Sequence, residues 1–289
     1  MRRALEYIRA GDVYQANIAH QFTGRFSGSP AELFAALAGS ADPVHGLGLV
    51  APITSQGPTG RPSGPVLPAS ETVAVLSLSP ELFLAYDAPT RRITTRPMKG
   101  TRPGDADPHE LRDAEKDRAE LAMIVDLMRN DLGRVCEFGS VQVDDPRAIE
   151  RHASGPGAVL QATATVSGTV REGTTTADIL AATFPPGSVT GTPKLRAMQI
   201  IDELEPFARG LYCGCLGLFH DSGSFELAVA IRTVVIRGTV KPGTDTFNDA
   251  LLTYCVGAGI VADSDPESEW LETLDKARVL NTVFDIQTT

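Results

Sequence analysis

The chain has 289 residues, of which 42% are apolar and 21% charged, and a formal charge of −10 at pH 7. This is the balance of a soluble globular protein, long enough to bury a large core as one unit or two. The acidic excess argues against a nucleic acid or an acidic membrane as partner, and an anionic substrate would need a locally positive site. With no signal peptide and no apolar run near about eighteen residues, the default expectation is a cytoplasmic enzyme.

In chain order, Leu5 to Ala10 reads as a helix stopped by Gly11, Val13 to Phe26 as a loosely alternating strand, and Pro30 to Ala38 as a short helix capped by Ser29. Gly46 to Ala51, Val73 to Leu78 and Leu82 to Tyr86 read as strands, and the Gly/Pro-rich run Gln56 to Pro68 as an exposed loop. A strand end at Arg92-Ile93-Thr94-Thr95 leads into Arg96-Pro97-Met98-Lys99-Gly100-Thr101. There Pro97 stops ladder bonding, and Gly100 permits a close approach or an unusual backbone angle, which puts Lys99 on a stiff turn.

Pro108 then opens one long helix to about Leu132, with Leu121, Ile124, Val125, Met128 and Leu132 as its apolar stripe. Val141 to Val143 and Leu160 to Val170 are strands, Thr176 to Thr183 a helix, and Phe184 to Ser188 a rigid connector. Thr192-Pro193 starts a helix to Glu205. Leu211 to His220 and Phe225 to Ile236 form a hairpin around Asp221-Ser222-Gly223. Leu251 to Val261 is a last strand, and Asp265-Pro266 begins a terminal helix whose apolar side carries Trp270, Leu274, Ala277 and Phe284. Strands and helices mix without βαβ alternation, which predicts an α+β layered fold in a single domain over residues 1–289. The cysteines Cys136, Cys213, Cys215 and Cys255 lack paired zinc spacing and read as buried reduced thiols, with Cys213 and Cys215 on one face of a strand.

Five features carry chemistry. Lys99 can act as a nucleophile if its surroundings keep some of the amine neutral, although an exposed turn lysine is the plainer reading of the segment alone. The acid pairs Asp117/Glu120 and Glu269/Glu272 each share a helix face at a spacing of three, and two such helices could hold Mg²⁺, against the plain reading of solvated acidic faces. Arg232, in an apolar strand, needs an anionic partner from the protein or from a ligand. Gly257-Ala258-Gly259 could let backbone N–H groups approach an anion but lacks the third glycine of a dinucleotide fingerprint. Glu81, after Ser79-Pro80, is a candidate general acid.

Eight segments in order resemble the chorismate-utilising enzymes: GDVYQANIAHQF, SLSPELF, RPMKGTRPG, KDRAELAMIVDLMRNDLGRV, FPPGSVTGTPKLRAMQIIDELEP, YCGCLGLF, AIRT and GAGIVADSDPESEWLETLDKA. That family includes anthranilate synthase component I, aminodeoxychorismate synthase component I, isochorismate synthase and salicylate synthase. The resemblance implies a layered α/β/β/α sandwich of two packed, largely antiparallel sheets, with the leading part of the family fold missing here. Within the family the chain looks most like aminodeoxychorismate synthase component I. Lys99 fills the PxKGT position where anthranilate synthases usually have Ala, and Ser188 stands where they tend to have Thr.

Carried over by motif, Glu120 and Glu272 would ligate Mg²⁺, with Asp117 and Glu269 in support. Tyr212, Arg232, Gly257, Gly259 and Lys276 would hold a substrate carboxylate, and Gly100, Thr101, Gln161 and Ser188 would line the substrate site. Lys99 would be the nucleophile and Glu81 the general acid. Gln161 replaces a histidine found in many relatives. The implied reaction converts chorismate and ammonia, supplied by a glutamine amidotransferase partner, to 4-amino-4-deoxychorismate for para-aminobenzoate and folate synthesis. The alternatives are anthranilate synthesis and a catalytically silent chorismate-binding subunit.

Overall fold

The computed structural model describes residues 1–41, 43–53, 71–152 and 159–281. The expected loop Gln56 to Pro68 and Phe284 lie outside them. Two sheets carry the fold, and every strand pairing in them is antiparallel. The first is built from β1 (Gln15–Gly28), β2 (His45–Pro52), β3 (Glu71–Ser79), β9 (Gly191–Thr192), β12 (Thr233–Thr239) and β13 (Phe247–Ile260), in the order β2-β3-β12-β13-β1-β9. The second runs β10-β11-β4-β5-β8-β6, with β7 on the other side of β8. Its strands are β4 (Leu82–Asp87), β5 (Arg92–Arg96), β6 (Met98–Pro103), β7 (Gln142–His152), β8 (Val159–Thr169), β10 (Cys215–Phe219) and β11 (Phe225–Val229).

Alternation along β13 explains the layering, since successive side chains face opposite ways. Leu252, Tyr254 and Val256 are buried with Leu33 and Leu37 of α2 (Pro30–Ala41) and Ala277 and Leu280 of α7 (Pro266–Asn281). Further along the same face, Ala258 and Ile260 pack with Ala4 and Leu5 of α1 (Arg2–Arg9) and Ile200 and Ile201 of α6 (Lys194–Leu204). Cys255, at an odd position, instead joins the core that contains Ala19 of β1 and residues of β4, β8 and β11. The odd face, with Gly257 and Gly259, therefore looks towards the second sheet. The fold is the expected α+β arrangement of two antiparallel sheets with helices.

Several local expectations need correction. The helix from Pro108 is two helices, α3 (Pro108–Asp113) and α4 (Glu115–Gly133), broken at Ala114, whose φ −63° and ψ 106° are extended. Asp107 caps α3 through the His109 N–H, and Arg147 donates to the Leu111 carbonyl that a continuous helix would have used internally. The break lets Leu111 pack fully buried beneath Gly100. All five stripe residues of α4 are buried as the periodicity requires.

Lys99 sits not in a turn but in β6, opposite Ala162 of β8, and the irregularity falls at Gly100 between the Lys99 and Thr101 pairings. The run Phe225 to Ile236 is two strands in different sheets; the chain crosses between them at Arg232, whose φ of 48° breaks the extended backbone. On α7 the fully buried positions are Thr273, Ala277 and Leu280 together with Glu269, while Trp270 is partly exposed against the His20 ring. Cys213 precedes β10 with a φ of 64°, so it does not share a strand face with Cys215; all four thiols are free. Helix α5 (Thr176–Thr183) has the expected bounds, fixed by a reciprocal Thr175/Asp178 capping box.

Candidate active site

The site lies where β6 of one sheet meets the glycine pair of β13 in the other. Gly100 has a φ of 82°, and a Cβ there would stand 2.8 Å from the Asp117 carboxyl carbon and from a Leu111 methyl. Only glycine allows β6 to run this close to α4 while bending Lys99 inwards. The Lys99 ammonium meets Oε2 of Glu120 at 2.7 Å, and a Cβ on Gly259 would be 2.7 Å from the Lys99 Nζ. Gly259 is thus the space through which the amine reaches the inter-sheet region.

Beside Lys99 stands Gln15, 1% exposed, with neither its amide nitrogen nor its oxygen bonded within the protein. Its nitrogen would touch the same Gly259 Cβ at 2.9 Å. Buried amides are almost always paired, so both atoms are available to a ligand or water. No local sequence motif marks Gln15 as a site residue, although alternation along β1 puts Gln15, Asn17 and Ala19 on one face.

Helices α4 and α7 bring acids to the other side of Lys99. Glu120 and Glu269 are each 5% exposed, and Glu269 accepts from Ser264 at 2.7 Å. One ammonium joins the two helices: Lys116 Nζ is 3.1 Å from Glu269 Oε1 and 3.9 Å from Glu120 Oε1. Loss of hydration works against the Lys116 charge, but the neighbouring carboxylates outweigh it and hold its pKa above the ordinary lysine value. Lys116 was not singled out from the sequence, though its spacing of four from Glu120 is that of a helical ion pair.

Glu272 lies at the open edge and pairs with Lys276 at 2.7 Å, while Lys276 donates to the Gly257 carbonyl at 2.8 Å. Loss of hydration pulls the Lys276 pKa down, against the pull of Glu272. Asp117, by contrast, turns away from this group to Arg102, at 2.8 Å.

Glu81 occupies the tight link between β3 and β4, its N–H bonded to the Ser79 hydroxyl at 3.2 Å. It is 4% exposed, and the Ser188 hydroxyl donates to its Oε1 at 2.6 Å. Burial raises its pKa to about 7, against the opposing pulls of Ser188 and of the Lys99 charge. Ser188 is delivered by a short 3-10 turn, Gly187–Val189. Below that turn a buried ion pair, Glu205 with Arg209 at 2.6 Å, ties it to β1: Arg209 donates to the Val189 and Asn17 carbonyls, and Glu205 accepts from the Ala19 N–H.

Arg232 is half-buried, and loss of hydration lowers its pKa with only Tyr254 opposing; among the described residues no carboxylate forms an ion pair with it. The Tyr212 hydroxyl would stand 3.0 Å from a Cβ on Gly257, and burial holds its pKa well above the ordinary phenol value. Gln161 lies opposite Thr101, to whose hydroxyl its nitrogen donates at 3.4 Å, while its buried oxygen has no protein partner. The structure therefore gathers Lys99, Glu120, Glu269, Glu272, Lys276, Gly257 and Gly259 with Glu81 and Ser188 alongside, and leaves Arg232 free for an anion. A surface cavity of about 520 Å³ between Arg134, Arg171 and Asp178 lies at the far end of α4 and shares none of these groups.

The donor set suits a hard divalent cation, because Glu120 and Glu269 already share one cation in Lys116. Each carboxylate is engaged by lysine, and among the described residues no three acidic, histidine or cysteine side chains are grouped as a ready metal site.

The family model described as chorismate binding enzyme matches residues 1–282. The chain belongs to that family. It is 38% identical over 295 residues to "Anthranilate synthase component 1" of Aquifex aeolicus, covering 99% of this chain and 52% of that one. It is equally 38% identical over 284 residues to "Aminodeoxychorismate synthase component 1" of Escherichia coli, covering 95% and 54%. The crystal structure of anthranilate synthase component I from Streptococcus pneumoniae superposes with a TM-score of 0.75 at 30% identity, over 96% of this chain and 55% of that one. The chain spans about half the length of the curated relatives it matches. Among the described residues no helix is long and apolar enough to cross a membrane.

Proposed function

We propose that this chorismate-family chain makes 4-amino-4-deoxychorismate from chorismate and ammonia, with a glutamine amidotransferase partner as the ammonia source and Mg²⁺ as cofactor. The observation that carries the choice is the pairing of a side-chain amine, Lys99, with a buried carboxyl, Glu81, whose pKa of about 7 keeps a large fraction protonated at neutral pH. A general acid and a nucleophile in one inter-sheet space suit an allylic displacement.

Once chorismate is bound, the Lys99 ammonium gives up a proton to water, and the free amine adds at ring carbon 2. The ring double bond shifts, and the hydroxyl at carbon 4 leaves as water with the proton of Glu81. Ammonia then adds at carbon 4, the double bond shifts back, and the Lys99 amine is released. The proton lost from the incoming nitrogen returns to Glu81, and the enolpyruvyl ether stays intact. Ser188 orients the Glu81 carboxyl through its 2.6 Å bond. Arg232, Tyr212 and the Gly257–Gly259 backbone would take the substrate carboxylates. Glu120, Glu269 and Glu272 would hold Mg²⁺, whose contribution when bound is to neutralise substrate carboxylate charge.

The test is mass analysis after incubation with chorismate and Mg²⁺ without ammonia. The peptide carrying Lys99 should gain the mass of chorismate less water, and Lys99→Ala should lose the adduct. The competing reading is anthranilate synthesis, kept alive by relatives of that name at the same identity. Anthranilate and pyruvate as products, with no adduct on Lys99, would select it.

A further inference from the structure

Lys116 has no part in the chemistry above, yet it makes the ionic link between the two acid-bearing helices. Its ammonium touches Glu269 of α7 at 3.1 Å and Glu120 of α4 at 3.9 Å, and Glu120 is held on its other oxygen by Lys99. The carboxylates are buried; the lysine is not, with half of its side chain (50%) exposed. Two ionised carboxylates shut away from water need a cation close by, and leaving them without one is expensive. Lys99 is carried by strand β6 and is 21% exposed, whereas Lys116, in the first turn of α4 with a flexible four-carbon stem, can swing its head into solvent.

We propose that Lys116 is a tethered cation that holds the Glu120/Glu269 pair in place while no divalent cation is bound, and that leaves when one binds. It is a positioning residue, and the inference rests on the reading of these acids as a Mg²⁺ site. Loading would then be an exchange of one charge for two within a preassembled pair of helices. The tether sets the divalent affinity, because every binding event has to break its two contacts. The lysine also screens a repulsion between the two carboxylates that would otherwise push α4 and α7 apart.

The experiment is a titration of the metal-free protein with Mn²⁺ alone, followed by the loss of the free-ion electron paramagnetic resonance signal, together with thermal unfolding with and without Mn²⁺. Lys116→Gln should bind Mn²⁺ about tenfold more tightly than the unmutated chain, about 1.4 kcal/mol. Without metal it should melt lower, and saturating Mn²⁺ should close the gap. Lys116→Arg keeps the charge, so it should keep the metal-free melting temperature and not gain affinity; it serves also if the glutamine variant folds poorly, a gain in affinity by it being contrary to the proposal. Equal or weaker Mn²⁺ binding by a folded Lys116→Gln protein overturns the proposal and leaves the metal reading standing. No Mn²⁺ binding by any of the three proteins overturns the metal reading and the proposal with it.

Discussion

Replacing Glu81 by glutamine removes a titration that the fold makes costly, and the sign of the effect depends on pH. The carboxyl is held at about 7, against an ordinary 4.5, because burial penalises its charged form more than Ser188 and Lys99 favour it. At 1.36 kcal/mol per pH unit the difference is worth about 3 kcal/mol. Between the two values the folded chain keeps a proton that the unfolded chain has released, so stability falls as pH rises. The loss begins near 4.5 and is complete above about 7.

Glutamine has the same shape and accepts the same bond from Ser188, but it cannot ionise. Glu81→Gln should therefore match the unmutated protein in denaturant unfolding at pH 4.5 and exceed it by about 2–3 kcal/mol at pH 8, a neutral acceptor giving back part of the gain. The same variant should lose turnover, and in the unmutated enzyme kcat/KM should fall above pH 7 as the acid is titrated away. Parallel stability curves for the two proteins from pH 4.5 to 8 would refute the claim that Glu81 is buried and protonated near neutrality.

Three further outcomes follow from the geometry. Arg232→Gln should raise KM for chorismate by about tenfold or more, from the loss of a charge-assisted bond of about 1.5–3 kcal/mol, while leaving thermal stability level or higher because among the described residues no carboxylate is orphaned; a large drop in melting temperature would show a structural role instead. Gly259→Ala should cut turnover with little loss of stability, since its new methyl meets only the movable ends of Lys99 and Gln15, whereas Gly191→Ala, at φ 151° and 2.1 Å from the Gln15 carbonyl oxygen, should unfold the chain or destabilise it severely; melting curves of the two alanine variants check the contrast. Glu205→Gln should cost about 3–5 kcal/mol in denaturant unfolding by stranding the buried Arg209 guanidinium beneath the Ser188 turn.

What could be read from the sequence was what local chemistry decides. The stripe of α4 is buried as its period requires, and the Thr175/Asp178 box fixes the start of α5. The order of strands was not legible, because β13 pairs with β1 across more than two hundred residues and one edge of β8 is divided between β5 and β6. The break at Ala114 carries no glycine or proline; it is enforced by Arg147 from another element. The crossing at Arg232 depends on a left-handed arginine, which no pattern of neighbours announces. Alternation and helical period also sort acids to the outside, and Glu269 defies that rule because Ser264 and Lys116 receive it inside. The motifs found the charged residues, then, but only the tertiary structure says how their charges are balanced.

That balance bears directly on the substrate. Lys99, Lys116 and Lys276 pair with Glu120, Glu269 and Glu272, and Arg232, the proposed carboxylate binder, adds one positive charge while Glu81 carries its proton. A chorismate dianion entering this arrangement would leave the site negative inside a chain that is already acidic overall. If Lys116 withdraws and a divalent cation takes its place, the same groups carry two positive charges and the dianion brings them to zero. Neither the lysine alone nor a cation added beside it gives that result. The exchange makes the site electrically complementary to its proposed substrate only after loading, so chorismate and the divalent cation should bind with positive coupling. Chorismate affinity measured with and without Mn²⁺ reads that coupling: affinity independent of Mn²⁺ in the unmutated chain would break the argument from charge, whatever the fate of Lys116.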